Sequence, residues 1–451
     1  GACVKHWVAD GGTVFGSGTA NFAWSGAPTH ILDQGDAVLD EAELRARHIA
    51  AYLPALKAGA LTVMATYSSW NGAKVHASDF LLTAVLKGEL GFKGMVVSDY
   101  NAVQQCAPSY SEAVARCINA GVDMIMTAGG LVGDLGWQRQ IAELLSAVVK
   151  GSIPLSRIDD AVRRILRVKA ALGLLRGLPR ATSAADQGVA PTAMTAAQVS
   201  ALHGSVGCPA HRELARCAVR KSLVLLRNAR GALPLDPAAA LCVGGPGAHN
   251  LGMQCGGWSL EWAGFSGNEK TSGTTLWQAA SAVCAKSTLI KGASDFGPQE
   301  DGAATVLLVL GEAPYVEGTG DRKAVLLSDG DAGLIDSAAE GKRKVVVVLL
   351  CGRPLVIPPK TLEKIDALLV AWLPGTEGGG VVDALFGFSA VTGKLSFSWP
   401  RDASQVQRAH RSGVSPPGSE ESSETPLFPL GFGLEMAAVC DEAPPTSNPV
   451  G

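Results

Sequence analysis

The sequence predicts an α/β protein of two domains, and three observations carry that reading. Strand-like and helix-like stretches alternate through the first 176 residues, which implies parallel strands with helices outside. The chain of 451 residues is about three times a usual domain length, so one domain is too few. Runs such as GMVVSDY (94–100) and KVVVVLLCG (344–352) are strand-length and apolar, as in strands buried on both faces.

The elements follow in order. VKHWV (4–8) reads as the first strand. Asp40 and Glu43, spaced like a capping box, open a helix through AELRARHIAAYLPALKAG. LTVMATYSS (61–69) is a strand, and HASDFLLTAVLKGEL (76–90) a helix stopped by Gly91. GMVVSDY is the next strand, SEAVARCINAG (111–121) a helix, and VDMIMTAG (122–129) a fourth strand. Helices are expected over WQRQIAELLSAVVKG (137–151) and SRIDDAVRRILRVKAALGLL (156–175), the latter opened by Ser156 and Asp159 as a second box. Residues 177–215 turn to Pro, Ala, Ser, Thr and Gly without periodicity and read as a linker. After RCAVRKSLVLLRN (216–228), strand-like runs recur at ALCVGG, STLIKG, ATVLLVLGE, KVVVVLLCG, IDALLVAWLPG and GKLSFSW, with LWQAASAVCA and VVDALFG helical between them. This is a second, layered α/β unit. The predicted boundaries are 1–176, a linker at 177–215, 216–435, and a tail at 436–451.

Bulk properties exclude several classes. A net charge of −3 gives no electrostatic reason to bind nucleic acid or an anionic membrane. No apolar run approaches the roughly 20 residues that span a bilayer. Ten cysteines with no CxxC pair support neither a disulfide scaffold nor a zinc ribbon, and leave the redox compartment open. No Asp, Glu or His spacing demands a metal, and GGPGAHN (244–250) has the wrong spacing for a nucleotide loop. No metal and no cofactor are expected. The chain begins GACVKHW, without Met or a signal-like segment, so a processed or incomplete N-terminus is expected.

In parallel α/β folds, functional side chains gather at the carboxyl ends of strands. Asp99 sits there, as do Lys5 and His6, and Tyr67 with the SSWNG loop. Asp99 at the rim of a pocket escapes the desolvation cost of a core carboxylate; capping of the following turn is the other reading. GEAPYVEGTGD (311–321) puts Glu312, Glu317 and Asp321 on a loop after a buried strand, suited to a general acid or to an ordinary solvated turn. QCGGWSLEWAG (254–264) puts Trp258 and Trp262 in a glycine-rich loop, either for stacking on sugar rings or for holding the loop down. Two carboxylates with aromatic walls are the equipment of glycosidases.

With these residues in view, the chain resembles glycoside hydrolase family 3, especially plant and bacterial β-D-glucan glucohydrolases and β-glucosidases. VKHWVADGGT, VMATYSSWNGAKVHAS, VLKGELGFKGMVVSDY, SRIDDAVRRILRVKAALGL, AHNLGMQCGGWSLEWAG, GEAPYVEGTGD, AWLPGTEGGGVVDALFG and PLFPLGFGLE match in family order over most of the chain. The resemblance implies the C-terminal half of a (β/α)8 TIM-like barrel followed by a layered α/β sandwich domain, with the active site between them. A closed barrel needs eight strands and about 250 residues, and only four strands are read before the linker.

It further implies an exo-acting, retaining β-glucosidase with a β-glucan or β-glucoside substrate. Asp99 is then the nucleophile and Glu317 the acid/base, about 5–5.5 Å apart as retention demands. Lys5 and His6 would hydrogen-bond the bound glucose, and Met64 and Tyr67 line the nucleophile's side of the pocket. Tyr100 and Trp262 would sandwich the next sugar, with Trp258 beside them; plant members carry Trp where Tyr100 stands. SGTANFAWSGAPTHILDQGD (17–36) is closer to bacterial members. GGTVFGSGTA lacks the Asp–His pair of the N-acetylglucosaminidase branch. Family analogues are often secreted or periplasmic, so one of those compartments is the expectation here. The competing readings are a truncated, non-catalytic carbohydrate-binding remnant, and a relative preferring xylosides or aryl glucosides.

Overall fold

The computed structural model describes residues 2–18, 32–127, 136–175, 196–295, 305–340, 343–406 and 425–439. The chain falls into two compact units, Gly1–Ala193 and Met194–Gly451.

The first unit carries β1 (Cys3–Trp7), β2 (Asp36–Ala37), a helical run α1 over 41–57, β3 (Thr62–Ala65), β4 (Ser69–Trp70), β5 (Ala73–Lys74), a helix α2 (Phe80–Glu89), β6 (Met95–Val97), α3 (Tyr110–Ala120), α4 (Gly136–Val149) and α5 (Leu155–Ala171). Strands β1, β3 and β6 form a parallel sheet in that order, with Val4 beside Val63 and Val63 beside Val96. The helices cover it: Leu44 of α1, Leu81, Leu82 and Leu86 of α2 and Val114 of α3 pack with Trp7, Val63 and Val96 in one core. Asp40 caps α1, accepting the Glu43 N–H at 2.8 Å, and Gly91 ends α2 in a left-handed conformation, both as the sequence predicts.

Three expectations for this unit are corrected. The fourth strand, 122–129, reduces within its described residues to one parallel bridge between Val97 and Met124. The ladder donor on Val96 is instead taken at 2.8 Å by the side chain of Asp123, which a buried cluster with Lys87 and Arg157 holds in place. The box expected at Ser156 and Asp159 is absent, because the N-cap of α5 is Pro154, two residues before Ser156. The SSWNG stretch, read as a loop, is a tight hairpin: Asn71 and Gly72, both at positive φ, join antiparallel β4 and β5, and β2 adds to β4. Asn-Gly is the pair such a two-residue turn favours. Most of 17–36 and much of 177–215 lie outside the described residues, as do 128–129 and 440–451.

The second unit opens with α6 (Ala196–Ser205) and α7 (Pro209–Ser222), which fall in the stretch read as a connection. Arg216 and Arg220 of α7 both pair with Asp383. Then come β7 (Val224–Asn228), β8 (Leu241–Gly244), α8 (Leu251–Cys255), α9 (Leu276–Val283), β9 (Ser287–Leu289), β10 (Thr305–Gly311), α10 (Asp329–Glu340), β11 (Lys344–Leu350), α11 (Pro359–Leu362), β12 (Ala367–Trp372) and α12 (Gly378–Leu385). The sheet order is β7-β12-β11-β10-β8-β9, all parallel except the edge strand β7. Alternate residues explain the continuous apolar runs: Leu307, Val309, Val346 and Val348 face one core, Val306, Leu308, Val345 and Val347 the other. GKLSFSW is not a strand. Only Leu395 and Trp399 of its large residues are buried, and isolated bridges such as Trp399 to Phe428 replace a ladder.

Candidate functional site

In the first unit the carboxyl ends of β1, β3 and β6 bring a set of polar side chains together. Asp99 stands two residues past β6. Its Oδ1 accepts the Tyr100 N–H at 2.7 Å, its Oδ2 lies 3.5 Å from His6 Nε2, and its own N–H donates to His76 Nε2 at 3.0 Å. Partial burial raises the Asp99 pKa above the ordinary carboxylate value; the Tyr100 N–H and the charges of His6 and Lys5 pull the other way.

His6 is held from its other side by Asp10, with Nδ1 3.2 Å from Oδ2. Asp10 in turn accepts from the Thr66 hydroxyl at 2.7 Å and the Ser68 hydroxyl at 3.4 Å. Burial works against both charges. The His6 pKa nevertheless rises, on the hydrogen bond and charge of Asp10 and the charge of Asp99, and Asp10 falls through its three hydrogen bonds. The arrangement is a carboxylate–imidazole–carboxylate chain from the end of β1 to the end of β6.

Of the other residues singled out here, Lys5 is exposed on β1 and Met64 is buried on β3. The Tyr67 hydroxyl donates to the Tyr100 carbonyl, and the Tyr67 carbonyl accepts from Lys74 Nζ at 2.8 Å. The Tyr100 ring is half-buried and its hydroxyl is buried with no hydrogen-bond partner. Sequence reasoning missed Asp10, Thr66 and His76. The signal for Asp10 was in view, an Asp four residues after the His of VKHWVAD.

The second unit builds its own cluster around the loop after β10. Glu317 is exposed, with φ 45°, and begins a short helical turn, Glu317–Gly320. Glu312 is committed elsewhere: Arg353 grips both its oxygens, Nη2 at 2.6 Å and Nε at 3.0 Å. The same guanidinium donates to the Gly320 carbonyl at 2.7 Å and lies 4.4 Å over the Tyr315 ring. Arg353 therefore clamps both ends of the loop that presents Glu317. Trp258 and Trp262 meet edge to face at 6.2 Å, and Trp258 is 61% exposed. Their loop packs on the Glu317 loop so closely that a Cβ on Gly257 would lie 2.0 Å from the Tyr315 carbonyl oxygen. Asp99 and Glu317 thus belong to different units.

Among the described residues no group of three or more His, Cys, Asp or Glu is placed to hold a metal ion, and no helix is long and apolar enough to cross a membrane.

Comparison with known proteins adds an independent line. Residues 3–168 match the family model described as the glycosyl hydrolase family 3 N terminal domain, and 223–436 the glycosyl hydrolase family 3 C-terminal domain. A lysosomal beta glucosidase of Dictyostelium discoideum is 28% identical over 94% of this chain and 52% of its own length. A beta-xylosidase of Formosa agariphila is 30% identical over 92% of this chain and 59% of its own. The crystal structure of a point mutant of an exo-1,3/1,4-beta-glucanase from a Pseudoalteromonas species is 33% identical and covers 98% of this chain and 67% of that one, with a TM-score of 0.74. The chain spans about half the length of the curated relatives it matches. These neighbours agree with an α/β fold of a barrel-like unit and a sheet unit.

Proposed function

This chain belongs to glycosyl hydrolase family 3, and from that premise we propose that it is a retaining, exo-acting β-glucosidase that hydrolyses terminal β-D-glucosyl residues of oligo- or polysaccharides. The observation that carries the reading is the setting of Asp99: a part-buried carboxylate at a strand's carboxyl end, steadied by the Tyr100 N–H and faced by His6. Beta-glucosidase and exo-glucanase relatives support the substrate class.

In the first step Asp99 attacks the anomeric carbon. The bond from that carbon to the glycosidic oxygen breaks, and Glu317 gives its proton to the departing oxygen. In the second, water attacks the same carbon, Glu317 takes the water's proton, and the ester to Asp99 breaks. The charges of His6 and Lys5 favour the ionised, nucleophilic Asp99. Lys5 and His6 hydrogen-bond the glucose, Met64 and Tyr67 line the pocket, and Tyr100, Trp258 and Trp262 meet the outer sugar. Retention requires the two carboxyls to work about 5–5.5 Å apart. We read the first unit as the C-terminal half of a (β/α)8 barrel, supported by the parallel β1-β3-β6 sheet, and the second as the sandwich domain.

The test is hydrolysis of a nitrophenyl β-glucoside and of cellobiose or laminaribiose by the purified chain. Asp99→Ala abolishes both activities. Glu317→Ala spares the aryl glucoside relative to the disaccharides, because a good leaving group needs little protonation. Residual turnover in Asp99→Ala, or an equal loss on both substrates in Glu317→Ala, rejects the assignments. The beta-xylosidase relative supports a second reading with the same catalytic pair; a higher kcat/KM on the xyloside than on the glucoside selects it. No turnover of either selects the non-catalytic remnant.

A further inference from the structure

His76 is the one histidine of the first unit's site that no step above uses, and its surroundings are unusual for an idle residue. It sits in the helical turn Val75–Ala77 and is 1% exposed. Nε2 accepts the backbone N–H of Asp99 at 3.0 Å, so this nitrogen carries a lone pair and no proton. The proton is therefore on Nδ1, on the side where the ring hydrogen-bonds to the backbone of Thr66. Thr66 follows β3 and Asp99 follows β6, so the ring ties the ends of neighbouring strands through their main chains. Burial pushes the His76 pKa down to about 3, which favours the neutral ring that the Asp99 N–H bond requires.

A buried imidazole bonded only to main chain is usually a packing element. Here, however, one of the two bonds ends on the amide of the residue read as the nucleophile. The Asp99 peptide is held at its N–H by His76, at the Ser98 end by the Met124 carbonyl accepting the Ser98 N–H at 2.9 Å, and beyond it by Tyr67 on the Tyr100 carbonyl. Of these, only the His76 bond acts on the Asp99 N–H itself. The carboxylate's position and direction follow from that peptide plane and the two torsions χ1 and χ2, so slackening the amide moves the attacking oxygen.

We infer that His76 is a positioning residue: its neutral ring accepts the Asp99 N–H and fixes the peptide from which the attacking carboxylate projects. The inference rests on the reading of Asp99 as the nucleophile. A misplacement of about 1 Å costs on the order of 100-fold in rate, and the loss falls on the covalent step rather than on binding. Gln is the conservative replacement, since its Oε1 can accept near the Nε2 position, whereas Leu fills the space and accepts nothing.

The experiment labels the full chain with 2-deoxy-2-fluoro-β-D-glucosyl fluoride. The Asp99 oxygen bonds to the anomeric carbon as the carbon–fluorine bond breaks and fluoride leaves, and intact mass reports the adduct. The wild type labels and Asp99→Asn does not. His76→Leu, folded by circular dichroism, loses about 100-fold in the limiting labelling rate with the half-saturating concentration unchanged, and His76→Gln recovers most of that rate. A merely structural histidine would lower melting temperature in both variants without this split. On the unmodified protein, nitrogen NMR shows the Nδ1–H tautomer of His76 throughout pH 5–8, which needs no variant to fold. Labelling of folded His76→Leu at the wild-type rate, a Gln variant no better than Leu, or an Nε2–H tautomer overturns the inference while Asp99 stands. Labelling of Asp99→Asn, or none of the wild type, overturns the nucleophile and this inference with it.

Discussion

Replacing Arg353 by Met tests whether the loop that presents Glu317 is held by one clamp. Arg353 and Glu312 are 24% and 18% exposed, so solvent screens the pair only in part. Removing one partner of a fully buried pair costs about 3–5 kcal/mol, and hydrogen bonds to charged groups contribute about 1.5–3. At this exposure, a loss of about 2–3 kcal/mol is expected for Arg353→Met, because Glu312 stays behind without its cation and Gly320 loses the 2.7 Å donor. Met keeps an apolar chain against the Tyr315 ring, so little of the loss is packing. Glu312→Gln retains one of the two acceptors and costs less, and the double variant recovers part of the deficit. Urea unfolding followed by tryptophan fluorescence gives all four stabilities, and the cycle should show a coupling of at least about 1 kcal/mol. Turnover of cellobiose should fall while activated aryl glucosides are spared, since Gly320 closes the turn that Glu317 opens. A coupling below about 0.5 kcal/mol, or an equal fall on both substrates, would refute the clamp.

Two further outcomes follow from the geometry. Gly257→Ala would place a Cβ 2.0 Å from the Tyr315 carbonyl and 2.4 Å from Val316 Cγ1, forcing the tryptophan loop and the Glu317 loop apart; we expect about 1–3 kcal/mol of destabilisation. Gly292→Ala, with nothing within 4 Å, is the control, and equal melting temperatures for the two variants would contradict the packing. Asp10→Asn should show a pH-dependent penalty. The lowered Asp10 pKa contributes stability present above its unfolded value of 3.8 and lost as pH falls through the folded one. The raised His6 pKa contributes stability present below 6.5 and lost as pH rises through its folded value. The melting difference between wild type and Asp10→Asn is therefore largest between these limits and shrinks on either side of them; a difference constant from pH 4 to pH 9 would sink the argument.

The parts of the fold legible in the sequence are those where burial leaves a period. Strands β10, β11 and β12 declare themselves because both faces are covered, so every residue is apolar and length alone separates them from helices. VDMIMTAG and GKLSFSW also read as strand-like runs, but the Val96 donor goes to the Asp123 carboxylate, and the second run is stitched to Phe428 and Phe432 by isolated backbone bonds. Candidate site residues were legible where they end a strand or match a family motif, as Asp99, His6 and Glu317 do. The residues that orient them were not. Asp10 reaches Thr66 across 56 positions and His76 reaches Asp99 across 23, and no spacing rule connects such pairs.

The two carboxylates assigned to catalysis are prepared in different ways, and the difference follows from their tasks. On the proposed assignment, Asp99 attacks from one direction as an anion. It is part-buried, and its amide, its carboxylate and the following carbonyl are each engaged by His76, the Tyr100 N–H and Tyr67. Burial favours its neutral form, so His6 and Lys5 act against burial, and Asp10 favours the charged form of His6. On the same proposal, Glu317 gains and loses a proton within one cycle. It is exposed, at a positive φ, on a turn whose anchor grips Glu312 and Gly320. A held carboxylate in one unit and an exposed one on a clamped turn in the other are what the proposed double displacement asks of its two residues. It follows that unit 1 substitutions around Asp99 should act on formation of the covalent ester, and unit 2 substitutions around Arg353 on proton transfer.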